Sequence, residues 1–251
     1  MKLIYKTIPI ALAIAWVLLL AYHAFAAGTR VQIATSTPAG TPTSFGIQYP
    51  SSVTMGNTLL ICVNENWGAA NQINTVTDTL GDTWAQILST SDGSFVDGSM
   101  WYAIATSTGT DNVTTTLKNT GNSVGGIIME YSGMTASPIQ ATSSAHATSA
   151  NALSSGNVTT TLSNETLVGC TTANSASQTL IGNGTYSNAV QANNMTTAIV
   201  IGTQDKELVT TTTASSSMAY SGAVSGHQTS LIVALTEATA TTQDALFFAG
   251  D

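Results

Sequence analysis

Five aspartates, Asp78, Asp82, Asp92, Asp97 and Asp111, lie in or near the segments TDTLGDT and SDGSFVDGS, and carboxylates gathered by loops are the donors a calcium ion takes. Asp-Gly and Asp-x-Gly are equally ordinary turn chemistry, in which the carboxylate caps its own backbone. The spacing therefore predicts turns, with a calcium site at Asp78, Asp82, Asp92 and Asp97 as the one cofactor the chain could hold. A second chemistry is sugar stacking by Trp67, Trp84, Trp101 and Tyr102, which needs two or three rings on one face. Trp101 and Tyr102 are consecutive on a predicted strand and point to opposite faces. Trp84 follows a turn and reads as a core plug or sheet cover, so Trp67 in the loop NENWGAAN is the exposed ligand-binding candidate.

Catalytic groups are scarce. Glu130 stands alone on a predicted strand, hydrogen-bonded by hydroxyl neighbours or facing solvent, whereas glycoside hydrolysis uses two carboxylates. His146 sits in a low-complexity stretch and His227 in the turn SGHQTS, so a Ser-His-Asp hydrolase is not expected. Nothing around Lys118 or Lys206 suggests an isopeptide crosslink. Beyond Ala27 the basic residues are Arg30, Lys118 and Lys206, against thirteen acids, and 70 of the 251 residues are Ser or Thr. Enzymes draw on His, Lys, Arg, Cys and carboxylates held in opposed environments, so the expectation is a non-enzymatic protein.

The N-terminus reads as an export signal over residues 1–26. Lys2 and Lys6 precede the apolar run Ile8 to Tyr22, and Ala24-Phe25-Ala26 is a small-x-small cleavage pattern. The alternative is an uncleaved anchor, since Thr7 to Ala27 carries no charge and a helix of that length spans a bilayer. Cleavage leaves three basic residues against thirteen acids, 3 − 13 = −10, a charge that repels nucleic-acid backbones. A secreted or cell-surface protein is expected, with no membrane span after cleavage. Cys62 and Cys170 in an exported chain predict one disulfide, or else two buried free thiols.

The elements that must position these groups are strands. Period-two alternation recurs at Val31/Ile33, Phe45/Ile47/Tyr49, Met100/Tyr102/Ile104, Val113/Thr115/Leu117 and Val158/Thr160/Leu162. The continuous apolar runs 58–63, 126–129, 198–201 and 231–235 predict strands buried on both faces. The expected core is Leu59, Ile61, Ile104, Ile127, Met129, Leu167, Ile199, Ile201, Leu231 and Val233. TLLIC at Thr58 is echoed by TLVGC at Thr166, and the run at Ile127 by that at Leu231. This duplication predicts an all-β fold, a two-sheet antiparallel β-sandwich of jelly-roll or immunoglobulin type over 27–238. Its pseudo-halves would be 31–140 and 156–238, joined through the stretch 141–155. A pseudo-twofold would bring Cys62 and Cys170 onto matching strands.

The succession GNTLLICV, VTDTLGDTW, MWYAIA, IIMEYSG and NETLVGC resembles a group of secreted, Ser/Thr/Gly-rich bacterial β-sandwich modules. Those read GNLLVV, VTDSAGNTW, WYA, EYSG and DELLVGA in the same order. The resemblance covers about Val31 to Leu235. It implies a jelly-roll or immunoglobulin-like sandwich on an exported protein and transfers no catalytic residue; the two cysteines depart from its usual Val or Ala.

Two segments beyond the core could add to a neighbour's sheet edge. Val31 and Ile33 alternate like a strand, and Leu246, Phe247 and Phe248 form an apolar plug in the tail 239–251. The simpler reading pairs the first within its own sheet and leaves the tail disordered. The expected function is a structural or adhesive subunit of an extracellular filament or coat, self-associating by strand addition. The alternative is a secreted carbohydrate-binding module with surface glycans as partners.

Overall fold

The computed structural model describes residues 28–66, 72–119, 123–174, 178–194, 199–221 and 226–238. Residues 1–26, read from the sequence as an export signal, Trp67 and the tail residues Leu246, Phe247 and Phe248 lie outside the described residues. Among the described residues every regular element is a strand. In chain order the first half holds β1 (Thr29–Ser36), β2 (Ser44–Gln48), β3 (Thr58–Asn66), β4 (Ile73–Asp78), β5 (Ala85–Ser91), β6 (Asp97–Ile104), β7 (Asn112–Leu117) and β8 (Ser123–Ser132). The second half holds β9 (Met134–Ala147), β10 (Ala152–Ser154), β11 (Val158–Thr159), β12 (Glu165–Asn174), β13 (Leu180–Gly182), β14 (Ser187–Asn194), β15 (Ile199–Leu208), β16 (Thr213–Ala214), β17 (Ser217–Tyr220) and β18 (Gln228–Glu237).

The expected antiparallel sandwich is present, and it is present twice. The first half orders its strands β1-β8-β3-β6-β5 in a large sheet and β2-β7-β4 in a small one. The second repeats this as β9-β18-β12-β15-β14 and β10-β17-β13, with the short pair β11-β16 continuing the smaller layer. Early strands alternate between the two sheets, and the first and last strands pair (β1 with β8, β9 with β18), as in a jelly roll. The long stretch read as a connection between halves runs instead as the end of β9, then β10.

Side-chain alternation stacks these sheets in four layers. In β3, Leu59, Ile61 and Val63 face the small sheet, where they meet Phe45, Ile47, Val76 and Val113. Leu60 and Cys62 face the other large sheet and meet Val168, Cys170, Leu231 and Val233. The second half closes its own outer core around Val200 and Met218 and around Leu167 and Ile232. The central strands are therefore apolar on both faces, which is why TLLICV and LIVAL do not alternate. Each fully buried Leu or Ile contributes roughly 1.5–3 kcal/mol. In β7 one face is wet, and NVTTTL alternates strictly, with Val113, Thr115 and Leu117 inward.

The large sheets approach closely where a side chain is missing: a Cβ at Gly98 on β6 would strike Thr229 and Leu231 of β18. Nine of the ten expected core residues are buried. Ile104 is only partly buried, because it ends β6 and lies outside all the apolar cores. The alternation at Val158/Thr160/Leu162 also overreaches. Strand β11 stops at Thr159 and Leu162 is exposed.

Candidate functional site

The turn TDTLGD leaves β4 at Asp78, whose Oδ1 accepts the backbone N–H groups of Leu80 (3.0 Å), Gly81 (2.6 Å) and Asp82 (3.0 Å). Its Oδ2 accepts the indole N–H of Trp84 at 2.6 Å. This holds the half-buried ring against the first half's core, the plug read from the sequence. Asp82 turns inward, and its Oδ1 accepts the Thr106 N–H (2.8 Å) and hydroxyl (2.6 Å) beyond the end of β6. Asp111, next to β7, accepts the Thr79 N–H (3.2 Å) and hydroxyl (3.0 Å) through Oδ1. Carboxylate oxygens of Asp78, Asp82 and Asp111 thus come within 4.8 Å of one another. Burial raises the Asp111 carboxyl above its usual range, and the charges of Asp78 and Asp82 push it the same way against the Thr79 hydrogen bonds.

Asp92 and Asp97, expected beside Asp78 and Asp82, are not in this cluster. Asp92 Oδ1 caps the N–H groups of Ser94, Phe95 and Val96, an ordinary turn. Its Oδ2 contacts His227 Nδ1, and the Phe95 ring lies against the imidazole with centroids 4.5 Å apart. His227 therefore links the halves. Asp97 accepts the Gln72 N–H at 2.7 Å.

Glu130 is fully buried and accepts the Thr54 N–H (2.8 Å), the Asn57 amide (2.6 Å) and the Gln32 amide, fastening the loop before β3 to β8. Its donors are backbone and amide groups; the sequence pointed to hydroxyls or solvent. Trp101 packs into the first half's core and Tyr102 against the core between the large sheets, on opposite faces as their adjacency requires. His146 lies on β9, 3.4 Å from the Thr90 hydroxyl. Val31 and Ile33 belong to β1, which pairs with β8 inside the chain. Ile33 packs on the central core, and Val31, at a register shift, is about half exposed.

Cys62 and Cys170 form the disulfide, with Cα atoms 6.4 Å apart. Unforeseen is a polar knot at the seam of the halves. Arg30 Nη1 meets Asp205 Oδ2 at 3.3 Å, the Tyr131 hydroxyl donates to the same oxygen at 3.0 Å, and Asn188 Nδ2 donates to Oδ1 at 2.8 Å. Arg30 also donates to the Asn188 carbonyl at 2.8 Å. Asn188 is the one non-glycine residue with positive φ, +55°, among the described residues. A cleft of about 220 Å³ opens here, bounded by Gly28, Ser187 and Glu207 among others. The available signal was Arg30 itself, the single arginine of the sequence. No known protein family, curated protein or solved structure matches this chain.

Proposed function

We propose that this chain is a non-enzymatic, exported structural or adhesive subunit that assembles with its own copies, edge to edge, into an extracellular filament or coat, in keeping with the secreted bacterial modules it resembles. The observation that carries this reading is the scarcity of charge on the edges of its two large sheets. Natural edge strands are commonly guarded by Lys or other charges against pairing with a second chain. Strands β1, β5, β9 and β14 border the two large sheets, and across all four the only Asp, Glu, Lys or Arg is Arg30, already paired with Asp205. Strand β9 runs fourteen residues along one rim, with Pro138 as its only proline. Supporting this, Asp78, Asp92, Asp97 and Glu130 each accept hydrogen bonds from backbone N–H groups, a structural use of the carboxylate.

Because the opposite rim, formed by β1 and β14, carries Arg30 and its bonds to Asp205 and Asn188, the uncharged rim formed by β5 and β9 is the assembly edge in this reading. The test is light scattering and negative-stain microscopy of the purified protein beside a Ser89→Lys/Thr142→Lys/Ser144→Lys variant. Filaments or large oligomers that the three lysines abolish, with unchanged thermal stability, are expected. A wild-type protein that stays monomeric at high concentration and binds an insoluble polysaccharide would overturn the proposal in favour of a carbohydrate-binding module.

A further inference from the structure

Asp111 is 0% exposed and Asp82 8% exposed, yet each uses only Oδ1 in hydrogen bonding; Asp82 Oδ2 and Asp111 Oδ2 are buried with no hydrogen-bond partner. A buried, unpartnered carboxylate oxygen is costly, and two beside a third carboxylate are more so. The donors that do reach the three acids are all neutral: backbone N–H groups, two threonine hydroxyls and one indole. Among the described residues the ion pairs are Arg30 with Asp205 and His227 with Asp92, so neither neutralises this cluster.

The duplicated fold supplies an internal comparison. In the second half the turn after β13 is made by Asn183, whose Oδ1 accepts the Thr185 N–H at 3.2 Å. The connection from β15 to β17, the counterpart of the β6–β7 connection, reads VTTTTASS over residues 209–216. The same topology is thus built there with no carboxylate at either place.

We propose that Asp78, Asp82 and Asp111 bind one calcium ion, which pins the β4–β5 turn to the β6–β7 connection at one end of the first half. The donor set is hard oxygen only, without His or Cys, which selects an alkaline-earth ion over zinc or copper. Three carboxylates presented by loops, with water completing the shell, suit the adaptable coordination of calcium better than the strict octahedron of magnesium. The ion supplies the positive charge that the two unpartnered oxygens lack. This assignment stands independently of edge-to-edge assembly.

The test is equilibrium dialysis with radioactive calcium, together with thermal unfolding, on the purified protein after chelator treatment. One ion per chain is expected, with a Kd on the order of 10⁻⁴ M, in the range of extracellular calcium modules, and a higher midpoint in calcium than in chelator. Trp84, hydrogen-bonded to Asp78, should report binding by its fluorescence. Asp82→Asn and Asp111→Asn keep the oxygen that Thr106 and Thr79 donate to; each should lower calcium affinity at least tenfold and erase the calcium-dependent midpoint shift. Absence of binding by the wild type at 10-fold above that Kd, or equal binding by wild type and both variants, would overturn the site.

Discussion

Cys62 and Cys170 face each other across the plane where the two large sheets meet, each on the central strand of its own sheet. Their ladder neighbours correspond: Cys62 lies between Ile127 and Met100, Cys170 between Leu231 and Thr203. The bridge therefore sits at the crossing of two equivalent strands, where a pseudo-twofold relating the halves must pass. It closes a separation of 108 residues and ties together two bodies that each have an apolar core of their own.

Removing that bridge should weaken the joint between the two halves substantially. In the chain-entropy account a loop of this length contributes about 4–5 kcal/mol. Urea unfolding of a Cys62→Ala/Cys170→Ala variant against the oxidised protein should show a lower midpoint by that free energy. A loss below about 1 kcal/mol would mean that packing alone fixes the two halves.

The Arg30–Asp205 pair joins β1 of one half to β15 of the other, with side chains 10% and 6% exposed. Arg30→Met removes the countercharge and leaves a buried carboxylate held only by Tyr131 and Asn188. Loss of one partner of a buried pair costs about 3–5 kcal/mol. Adding Asp205→Leu should restore part of that stability, and a double-mutant cycle measures the coupling. Equal stability of wild type and the single variant would show the pair to be incidental.

The fold was legible where hydrophobic periodicity alone decides it. The runs at Thr58 and Leu231 announced strands buried on both sides, and the echo of Ile127 by Leu231 matches the ladder register beside each cysteine. Four layers were not legible, because strand order and the partner of each face depend on contacts distant in sequence. Val158/Thr160/Leu162 shows the limit: a sound period-two pattern yields a two-residue strand when Thr160 bonds instead to Thr212. Of the acids, TDTLGDT announced its turn, but only the long-range approach of Asp111 separates the cluster from the capping role of Asp92.

Gly169 lies on β12 where the outer layer of the second half comes nearest, and a Cβ there would fall on the Ser216 side chain. Ser216 is fully buried and accepts a hydrogen bond from Gln204 at 3.0 Å, so it has little room to retreat. Gly169→Val should destabilise by about 1–3 kcal/mol, the usual range for overpacking. Pairing it with Ser216→Gly should recover much of the loss in the same denaturation assay.

Four tyrosines make the protein sensitive to alkali. The hydroxyls of Tyr49, Tyr131, Tyr186 and Tyr220 donate to the Met129 carbonyl, the Asp205 carboxylate, the Ser215 carbonyl and the Thr172 carbonyl, bonds that ionisation destroys. Burial raises all four, Tyr186 to about 12 and Tyr49, Tyr131 and Tyr220 further still, with Asp205 adding to the effect at Tyr131. In the unfolded chain tyrosine ionises near pH 10. Below that value both states hold these protons and the stabilisation is complete. Above it the unfolded state releases protons first, so stability falls as pH rises toward the folded-state values. Tyr49, Tyr131 and Tyr220 should each contribute up to about 1.4 kcal/mol per pH unit, and the less buried Tyr186 less. Urea midpoints at pH 8, 10 and 11 should decline steeply only over the last interval. Tyrosinate absorbance near 295 nm should rise together with loss of the β-sheet circular dichroism signal. Smooth titration of all the tyrosines near pH 10 with the sheet signal intact would refute the burial of these hydroxyls.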